Sequence, residues 1–395
     1  MPSMVNIVAA SGARQGAGVF PNTVSLYLDL VRFLAALCVF VTHARHARFT
    51  NGWLDSVGRY GSDAVMIFFV LSGLVVAHVT QTKERDFQAY AISRLARLWS
   101  VALPALLLGL VADAIGKKLY PPIYDGPWYH GDNAALRLLV NAMFQGQSWF
   151  ANLLPFTNTP YWSIGYEFWY YAIFAAVHFL RGPTRGVVLA LCFALSGPKI
   201  VLLLPIWLLG VGIYRLHQTR QIPVELGWLL WIGSFVGYGL YQYLGFPGYL
   251  LWRTVQWFGE PFVIDQLVWS KDFVGNWVVG LLVAANFVGF WRICSTFEAL
   301  FRRFQRPIRF LAGFTFSVYL FHMPMLHFFG ALIRHDAASP MNQSFLLLAT
   351  LTATFLLGLV TEQKKYVARR WITAIFRSAI KGSLCQDNFR RRSGR

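Results

Sequence analysis

The sequence predicts an all-α fold, a polytopic membrane helical bundle of about ten transmembrane helices with both termini in the cytoplasm. Of its 395 residues, 56% are hydrophobic and 13% are charged, whereas ordinary globular domains carry about 25% charge. Ten apolar segments follow one another along the chain. The basic residues concentrate in alternate connections between them, as in proteins that cross a membrane repeatedly.

Each span ends where apolar residues give way to charged residues, glycine or proline. The fifth is short, and Ser196-Gly197-Pro198 separates it from the sixth, so the two form either a helical hairpin or one broken helix. Residues 135–150 are weakly amphipathic and are expected at the membrane interface, and residues 245–273 are expected to form a structured loop. The ten spans are 24–43, 61–80, 95–115, 161–180, 184–197, 199–215, 225–244, 274–291, 308–330 and 343–360.

The distribution of basic residues predicts the topology. With the N-terminus in the cytoplasm, 24 of the 35 Lys and Arg residues lie in inner segments, 10 lie in outer segments, and Arg32 lies within a span. Every outer loop is short enough for this bias to set the orientation. The chain then divides into a cytoplasmic segment 1–23, a transmembrane domain 24–361 and a basic cytoplasmic tail 362–395, which we interpret as a topology anchor rather than a lipid-binding element.

The net charge of +18 does not indicate a nucleic-acid-binding protein, because most of the basic residues assign to one side of the bilayer. The four cysteines have no metal-like spacing, so the sequence predicts neither a metal site nor a disulfide framework.

The first span, expected to be an uncleaved anchor, carries three ionisable residues. Asp29 and Arg32 are three residues apart and can pair on one helix face. His43 follows Arg32 by eleven residues, which puts both on one face about 16 Å apart. Such residues are costly inside a membrane and are therefore site candidates. The alternative is that Arg32 reaches back to the inner interface and His43 lies at the outer one.

Two further elements lie toward the cytoplasmic side. Ser72 and Gly73 either allow close helix packing or make a narrow passage for a substrate chain, and packing is the favoured interpretation for this pair alone. Arg94 and Arg97 project from one helix surface at the cytoplasmic mouth, where two guanidinium groups suit phosphate oxygens. Ordinary anchoring by basic residues is the alternative.

The fourth and ninth spans carry polar groups in the outer half. Glu167, set among aromatic residues, is expected at the depth of His43, where a carboxylate can fix the imidazole tautomer of a general base. A structural hydrogen bond between helices is the alternative. His322 lies in the same layer, next to a kink expected at Pro324.

These elements resemble the motifs of the acyltransferase 3 family and occur in family order between residues 28 and 324. One departure follows RLARL, where many members continue with an aromatic residue and proline and this chain has Trp99-Ser100 with Pro104 later. The matching segments are LDLVRFLAALCVFVTH, GSDAVMIFFVLSG, SRLARL, YWSIGYEFWYY and FSVYLFHMP.

The resemblance implies an integral-membrane O-acyltransferase of the bacterial inner membrane. It would move an acyl group, with acetyl expected, from cytoplasmic acyl-CoA to a hydroxyl of an extracytoplasmic or lipid-linked carbohydrate. Acyl-CoA is then a co-substrate, and no permanently bound cofactor is expected. Exopolysaccharide, O-antigen, a secreted oligosaccharide and a macrolide-like molecule stay open as acceptors, as do succinyl as the acyl group and the oligomeric state.

In this interpretation His43 is the general base and Glu167 orients it and stabilises its cation. A variant is transient acylation of His43 or Ser72. The expected substrate- and donor-binding residues are Arg32, Ser72, Gly73, Arg94, Arg97 and His322.

Two rival functions use the same residues. In a transporter, the intramembrane residues Asp29, Arg32, His43, Glu167 and His322 would form a proton or substrate path. The lack of detectable repeat halves in the sequence counts against it. In a sensor or scaffold with a decayed site, the protein would bind no CoA and would tolerate substitution of His43.

Overall fold

The computed structural model describes residues 20–374, and most of that chain is helical. Those residues form no β-strand, only one isolated bridge between His130 and Phe156. The all-α prediction is therefore confirmed. Arg14 and most of the predicted basic tail lie outside the described residues. The α-helices are α1 (Asn22–Ala44), α2 (Ala47–Thr50), α3 (Gly61–Thr82), α4 (Phe87–Leu119), α5 (Ala134–Ala142), α6 (Trp162–Phe179), α7 (Gly182–Ser196), α8 (Pro198–Thr219), α9 (Val224–Tyr243), α10 (Phe246–Phe258), α11 (Phe273–Ile293), α12 (Glu298–Arg303), α13 (Gln305–Ala312), α14 (Thr315–Leu332) and α15 (Pro340–Val360).

Each predicted span overlaps one long helix: α1, α3, α4, α6, α7, α8, α9, α11, α14 or α15. Within residues 20–374, six helical segments are long and apolar enough to cross a membrane. The total of ten spans stays a prediction. The six segments are Asn22–Ala44, Gly61–Thr82, Phe87–Leu119, Pro198–Thr219, Phe273–Arg303 and Pro340–Ala374.

Two stretches differ from the sequence-based expectation. The ninth span was expected to begin at residue 308, but Gly313 separates α13 from α14, which begins at Thr315. The first part, α13, contacts α1, where Arg309 of α13 donates to Ser25 at 2.9 Å. The expected loop 245–273 instead contains α10 and two short helical turns, and α10 begins after Gly245, whose φ of 70° permits the sharp turn.

Helices α3 and α8 pack with their backbones in contact. A Cβ atom added to Gly73 would lie 2.0 Å from the carbonyl oxygen of Trp207, and one added to Gly210 would lie 1.9 Å from that of Val70. Small residues permit this approach between membrane helices. Gly73 thus faces α8 and has no room beside it for a substrate chain, which corrects its expected role in donor binding.

We expect Gly73→Ala to destabilise the protein by about 1–3 kcal/mol, toward the upper end because the new methyl group meets backbone rather than a movable side chain. Thermal unfolding of the detergent-solubilised protein measures the effect. The control is Gly212→Ala on α8, where a Cβ atom would meet nothing within 4 Å. Equal stability of the two variants would contradict the packing role.

Both ends of the described chain lie at one end of the bundle, here called the near end. Asn22, which begins α1, donates to Gln305 at the start of α13 at 3.1 Å. Glu362, just after α15, accepts from the backbone N–H of Ser317 near the start of α14 at 2.9 Å. The opposite end, where α1 ends and α3 begins, is the far end. The near end is the cytoplasmic one in the predicted topology.

Candidate functional site

Two histidines from separate helices meet at the far end. His43 is the penultimate residue of α1, and His322 lies in α14. The Nε2 atom of His322 is 3.1 Å from the Nδ1 atom of His43. The His322 side chain is fully buried, whereas His43 is partly exposed. The sequence placed both residues in one layer, and the structure brings them into direct contact.

The hydrogen bonds of this pair determine which ring nitrogens carry protons. Nδ1 of His322 lies 2.8 Å from the carbonyl oxygen of Val318 and must therefore be its N–H donor, which leaves Nε2 as an acceptor. Nδ1 of His43 faces that acceptor and also the carbonyl oxygen of Val39 at 3.0 Å, so it too carries a proton. The Nε2 atom of neutral His43 is left with a lone pair, as a general base requires.

Glu167 does not contact this histidine pair. Its carboxylate accepts from Ser72 Oγ at 2.8 Å and from the hydroxyl of Tyr171. Ser72 is also held by the indole N–H of Trp207 at 3.2 Å. Ser72 follows the first residue of α3 by eleven positions, so this cluster lies about 16 Å along that helix from the far end. The expectation that Glu167 orients His43 is therefore corrected, because the two lie at different depths.

A pair of hydroxyl groups connects the helices that carry the two sites. Ser163 of α6 and Tyr319 of α14 share a hydrogen bond of 2.7 Å. Tyr319 also donates to the carbonyl oxygen of Pro160 at 3.1 Å. Ser163 precedes Glu167 by one helical turn, and Tyr319 precedes His322 by three residues. The distance between the histidine pair and the Glu167 carboxylate is thus set by a direct contact between α6 and α14.

Arg32 and Arg97 approach each other between the near end and the Glu167 cluster. The guanidinium of Arg32 donates to the carbonyl oxygen of Ala312 at 2.9 Å and lies 3.2 Å from Asp29. It is close enough to Arg97 for the two cations to repel each other, and Glu362 attracts both. The guanidinium of Arg97 also interacts with Glu167, yet none of the hydrogen bonds among residues 20–374 involves it. Its N–H groups are therefore available to an anionic ligand.

Arg94 has a different environment from Arg97. It is buried and forms an ion pair with Glu84 at 2.6 Å, and its guanidinium lies over the rings of Tyr90 and Tyr171 at 5.8 and 5.6 Å. Since its charge is already compensated, Arg94 is a poor phosphate ligand. The expectation that Arg94 binds the donor is therefore corrected, whereas donor binding by Arg97 stays a prediction.

Three contributing residues were missed by the sequence analysis. Tyr171 follows Glu167 by four residues, and this helical spacing could have identified it. Tyr319 lies within the quoted segment FSVYLFHMP, but its partner Ser163 depends on helix packing. Glu362 lies beyond the last predicted span, and no local pattern points to it. In residues 20–374, no group of three or more His, Cys, Asp or Glu side chains is arranged to hold a metal ion.

Comparison with known proteins gives a family and one relative. A sequence model of a protein family, described as an acyltransferase domain of the acyltransferase 3 type, matches residues 25–359. Acyltransferase MdmB of Streptomyces mycarofaciens is 28% identical over 154 residues, which are 36% of this chain and 36% of that protein. The chain thus spans about a third of the length of that curated relative. No solved structure matches the chain.

Proposed function

The chain belongs to the acyltransferase 3 family of membrane acyltransferases, and from that premise we propose that it moves an acyl group from cytoplasmic acyl-CoA to a carbohydrate hydroxyl. Acetyl is the expected group. The acceptor is extracytoplasmic or lipid-linked, and the membrane is the bacterial inner membrane. The observation that carries the proposal is the contact between His322 and His43, which leaves Nε2 of His43 free to act as a base.

The reaction uses this lone pair. Nε2 of His43 takes the proton of the acceptor hydroxyl while its oxygen attacks the thioester carbonyl carbon. The Nδ1–H group of the resulting imidazolium donates to Nε2 of His322 and to the carbonyl oxygen of Val39, which stabilises the cation. When the tetrahedral intermediate collapses, the carbon–sulfur bond breaks and the CoA thiolate takes the proton from His43. The products are the ester and free CoA.

The donor would enter from the near end. Arg97 has unused N–H groups for the phosphates of CoA, and Arg32 adds a second positive charge beside it. Farther along, Ser72, Tyr171 and Glu167 form a polar group about midway through the bundle, suited to the amide-bearing arm of CoA. In this arrangement Glu167 is a positioning residue, and His43 is the base.

The direct test is transfer of labelled acyl groups by the purified protein in lipid nanodiscs. Acetyl-CoA and succinyl-CoA are compared as donors, and surface glycans from cells with and without the protein are compared by mass spectrometry to identify the acceptor. We expect one acyl modification to be absent from the glycans of cells that lack the protein. Unchanged glycans, together with no acyl transfer in nanodiscs, would contradict the proposal.

If His322 accepts the hydrogen bond of His43, substitutions of His322 should lower kcat less when they keep an acceptor atom. His322→Leu removes the acceptor of the His43 N–H group and is expected to lower kcat by about ten- to a hundredfold, since a hydrogen bond to a charged group is worth about 1.5–3 kcal/mol. His322→Gln keeps an oxygen acceptor and should restore part of the activity. KM for acyl-CoA should stay unchanged in both. If the Gln and Leu variants were equally impaired despite normal folding, the hydrogen bond would not be the cause.

A further inference from the structure

Arg48, at the far end, is a cation for which residues 20–374 provide no polar partner. It belongs to the short helix α2, just after α1, and its side chain is half-buried. Its guanidinium lies 4.0 Å from the ring centre of Trp128 and 4.7 Å from that of Phe49. In the chain from residue 20 to 374, it takes part in no hydrogen bond or ion pair, and its buried Nε atom is unsatisfied. A guanidinium has five N–H donors, so the exposed part of this one can still donate to an acceptor group from outside the protein.

The charges around Arg48 are not balanced. Burial lowers its pKa to about 10, with no carboxylate offsetting the effect. The neighbouring Arg45 is already paired with Asp55 at 3.3 Å. Burial and the cations of Arg48 and Arg45 lower the pKa of His46 to about 4, so His46 is neutral at pH 7. Between residues 45 and 55, Arg48 is thus the cation that no carboxylate of residues 20–374 pairs with.

A second unsatisfied group lies close by. His327 of α14 is fully buried, and its Nδ1–H donates to the carbonyl oxygen of Met323 at 3.0 Å. Its Nε2 atom, which is then an acceptor, has no partner within residues 20–374. The ring of His327 packs against Phe49 at 5.1 Å between ring centres, and Arg48 contacts the same Phe49 ring. Arg48 and His327 also interact electrostatically.

This corner adjoins the candidate base. The ring centres of His46 and His43 are 6.4 Å apart, and the charge of Arg48 acts electrostatically on His43. An anionic group held by Arg48 would therefore lie at the same end of the bundle as the imidazole of His43. In the proposed function, Arg97 and Arg32 bind the phosphates of the donor on the near-end side of the Glu167 cluster. Arg48 lies at the opposite end and is therefore placed to bind the acceptor.

We propose that Arg48, stacked on Trp128 at the end of the bundle that carries His43, is an acceptor-binding subsite that selects carbohydrates carrying an anionic group. The group is a carboxylate or a phosphate, since a guanidinium binds either through paired N–H donors. This inference rests on the proposed function and narrows its acceptor to acidic carbohydrates.

Binding of three small probes tests the subsite without relying on catalysis. Methyl glucuronide, methyl glucoside 6-phosphate and neutral methyl glucoside are titrated by calorimetry against the full-length protein in nanodiscs, and the first two separate a carboxylate from a phosphate preference. We expect at least one anionic probe to bind about tenfold or more tightly than the neutral one. Arg48→Gln should weaken that probe by about ten- to a hundredfold and leave the neutral probe unchanged.

A matched variant separates the subsite from a structural cation–aromatic contact. Lys117 lies 4.4 Å from the ring centre of Tyr129 at the same end of the bundle, and Lys117→Gln should leave all three affinities unchanged. Three results would overturn the subsite: equal affinity of the wild-type protein for all probes, equal losses in the Arg48 and Lys117 variants, or an Arg48→Gln loss as large for the neutral probe. Melting temperatures of both variants identify misfolding.

Acyl transfer to the same probes distinguishes the two proposals. If the anionic preference and its loss in Arg48→Gln are found but no acyl transfer occurs, the subsite stands and the proposed enzymatic function fails. If transfer occurs and Arg48→Gln slows it equally for neutral and anionic acceptors, Arg48 acts on the reaction itself and the subsite is wrong. KM for acyl-CoA should not change in Arg48→Gln, because the donor phosphates bind elsewhere.

Discussion

Replacing His43 with alanine is expected to lower kcat for acyl transfer by about 10²–10⁴-fold, the usual contribution of a positioned general base. The physical reason is that Nε2 of His43 is the ring nitrogen left without a proton, since Nδ1 donates to His322 and to Val39. KM for acyl-CoA should change little, because Arg32 and Arg97, the proposed donor-binding cations, lie toward the opposite end of the bundle. The measurement is steady-state transfer of labelled acyl groups by the nanodisc-embedded variant.

His178→Ala is the matched control for this substitution. His178 is an exposed histidine at the end of α6, stacked on Phe174 with 5.4 Å between ring centres, and its loss should leave kcat unchanged. A folded His43→Ala protein that keeps more than about a tenth of the wild-type rate would show that another group takes the proton.

Replacing Arg97 with glutamine is expected to raise KM for acetyl-CoA by about ten- to a hundredfold, and Arg97→Glu is expected to raise it further. The estimate corresponds to the loss of one or two charge-assisted hydrogen bonds of about 1.5–3 kcal/mol in total. Stability should be little affected, because the Arg97 side chain makes no hydrogen bond within residues 20–374. Initial rates across a range of acetyl-CoA concentrations measure the effect.

Two comparisons make this prediction specific to the phosphates of CoA. Acetylpantetheine carries the same thioester without the nucleotide, so its KM should be the same for the wild-type protein and Arg97→Gln. Arg94→Gln should instead lower the melting temperature, because it leaves the carboxylate of Glu84 buried and unpaired at a cost of about 3–5 kcal/mol. An equal rise in KM for acetylpantetheine and acetyl-CoA would refute a phosphate-binding role for Arg97.

Much of this site can be predicted from the sequence, because each helix and each candidate residue is marked by a local sequence feature. A run of about 20 apolar residues has to be helical in a bilayer, where no water can satisfy its backbone. An ionisable residue within such a run is costly enough to mark a site. On this basis the sequence alone identifies Arg32, His43, Glu167 and His322 as candidate site residues.

The sequence predicts less well which side chains these residues contact. Helical spacing placed Asp29 beside Arg32, and the structure has that ion pair at 3.2 Å. Spacing within one helix cannot say which residue of another helix lies opposite. The sequence pairs Glu167 with His43 only because both are expected at similar depth. In the structure Glu167 accepts a hydrogen bond from Ser72, because α3 and α6 face each other at that level.

The sequence by itself determined the helical membrane fold, the family and the ionisable residues, since these follow from local hydrophobicity and from short motifs. Only the tertiary structure decided which contacts the candidate residues make. His322 contacts His43, Glu84 forms an ion pair with Arg94, Gly73 packs against α8, and Arg48 has no polar partner among residues 20–374. The reason is that hydrogen bonds and ion pairs act over about 3–4 Å, and only the packing of helices distant in sequence brings side chains that close.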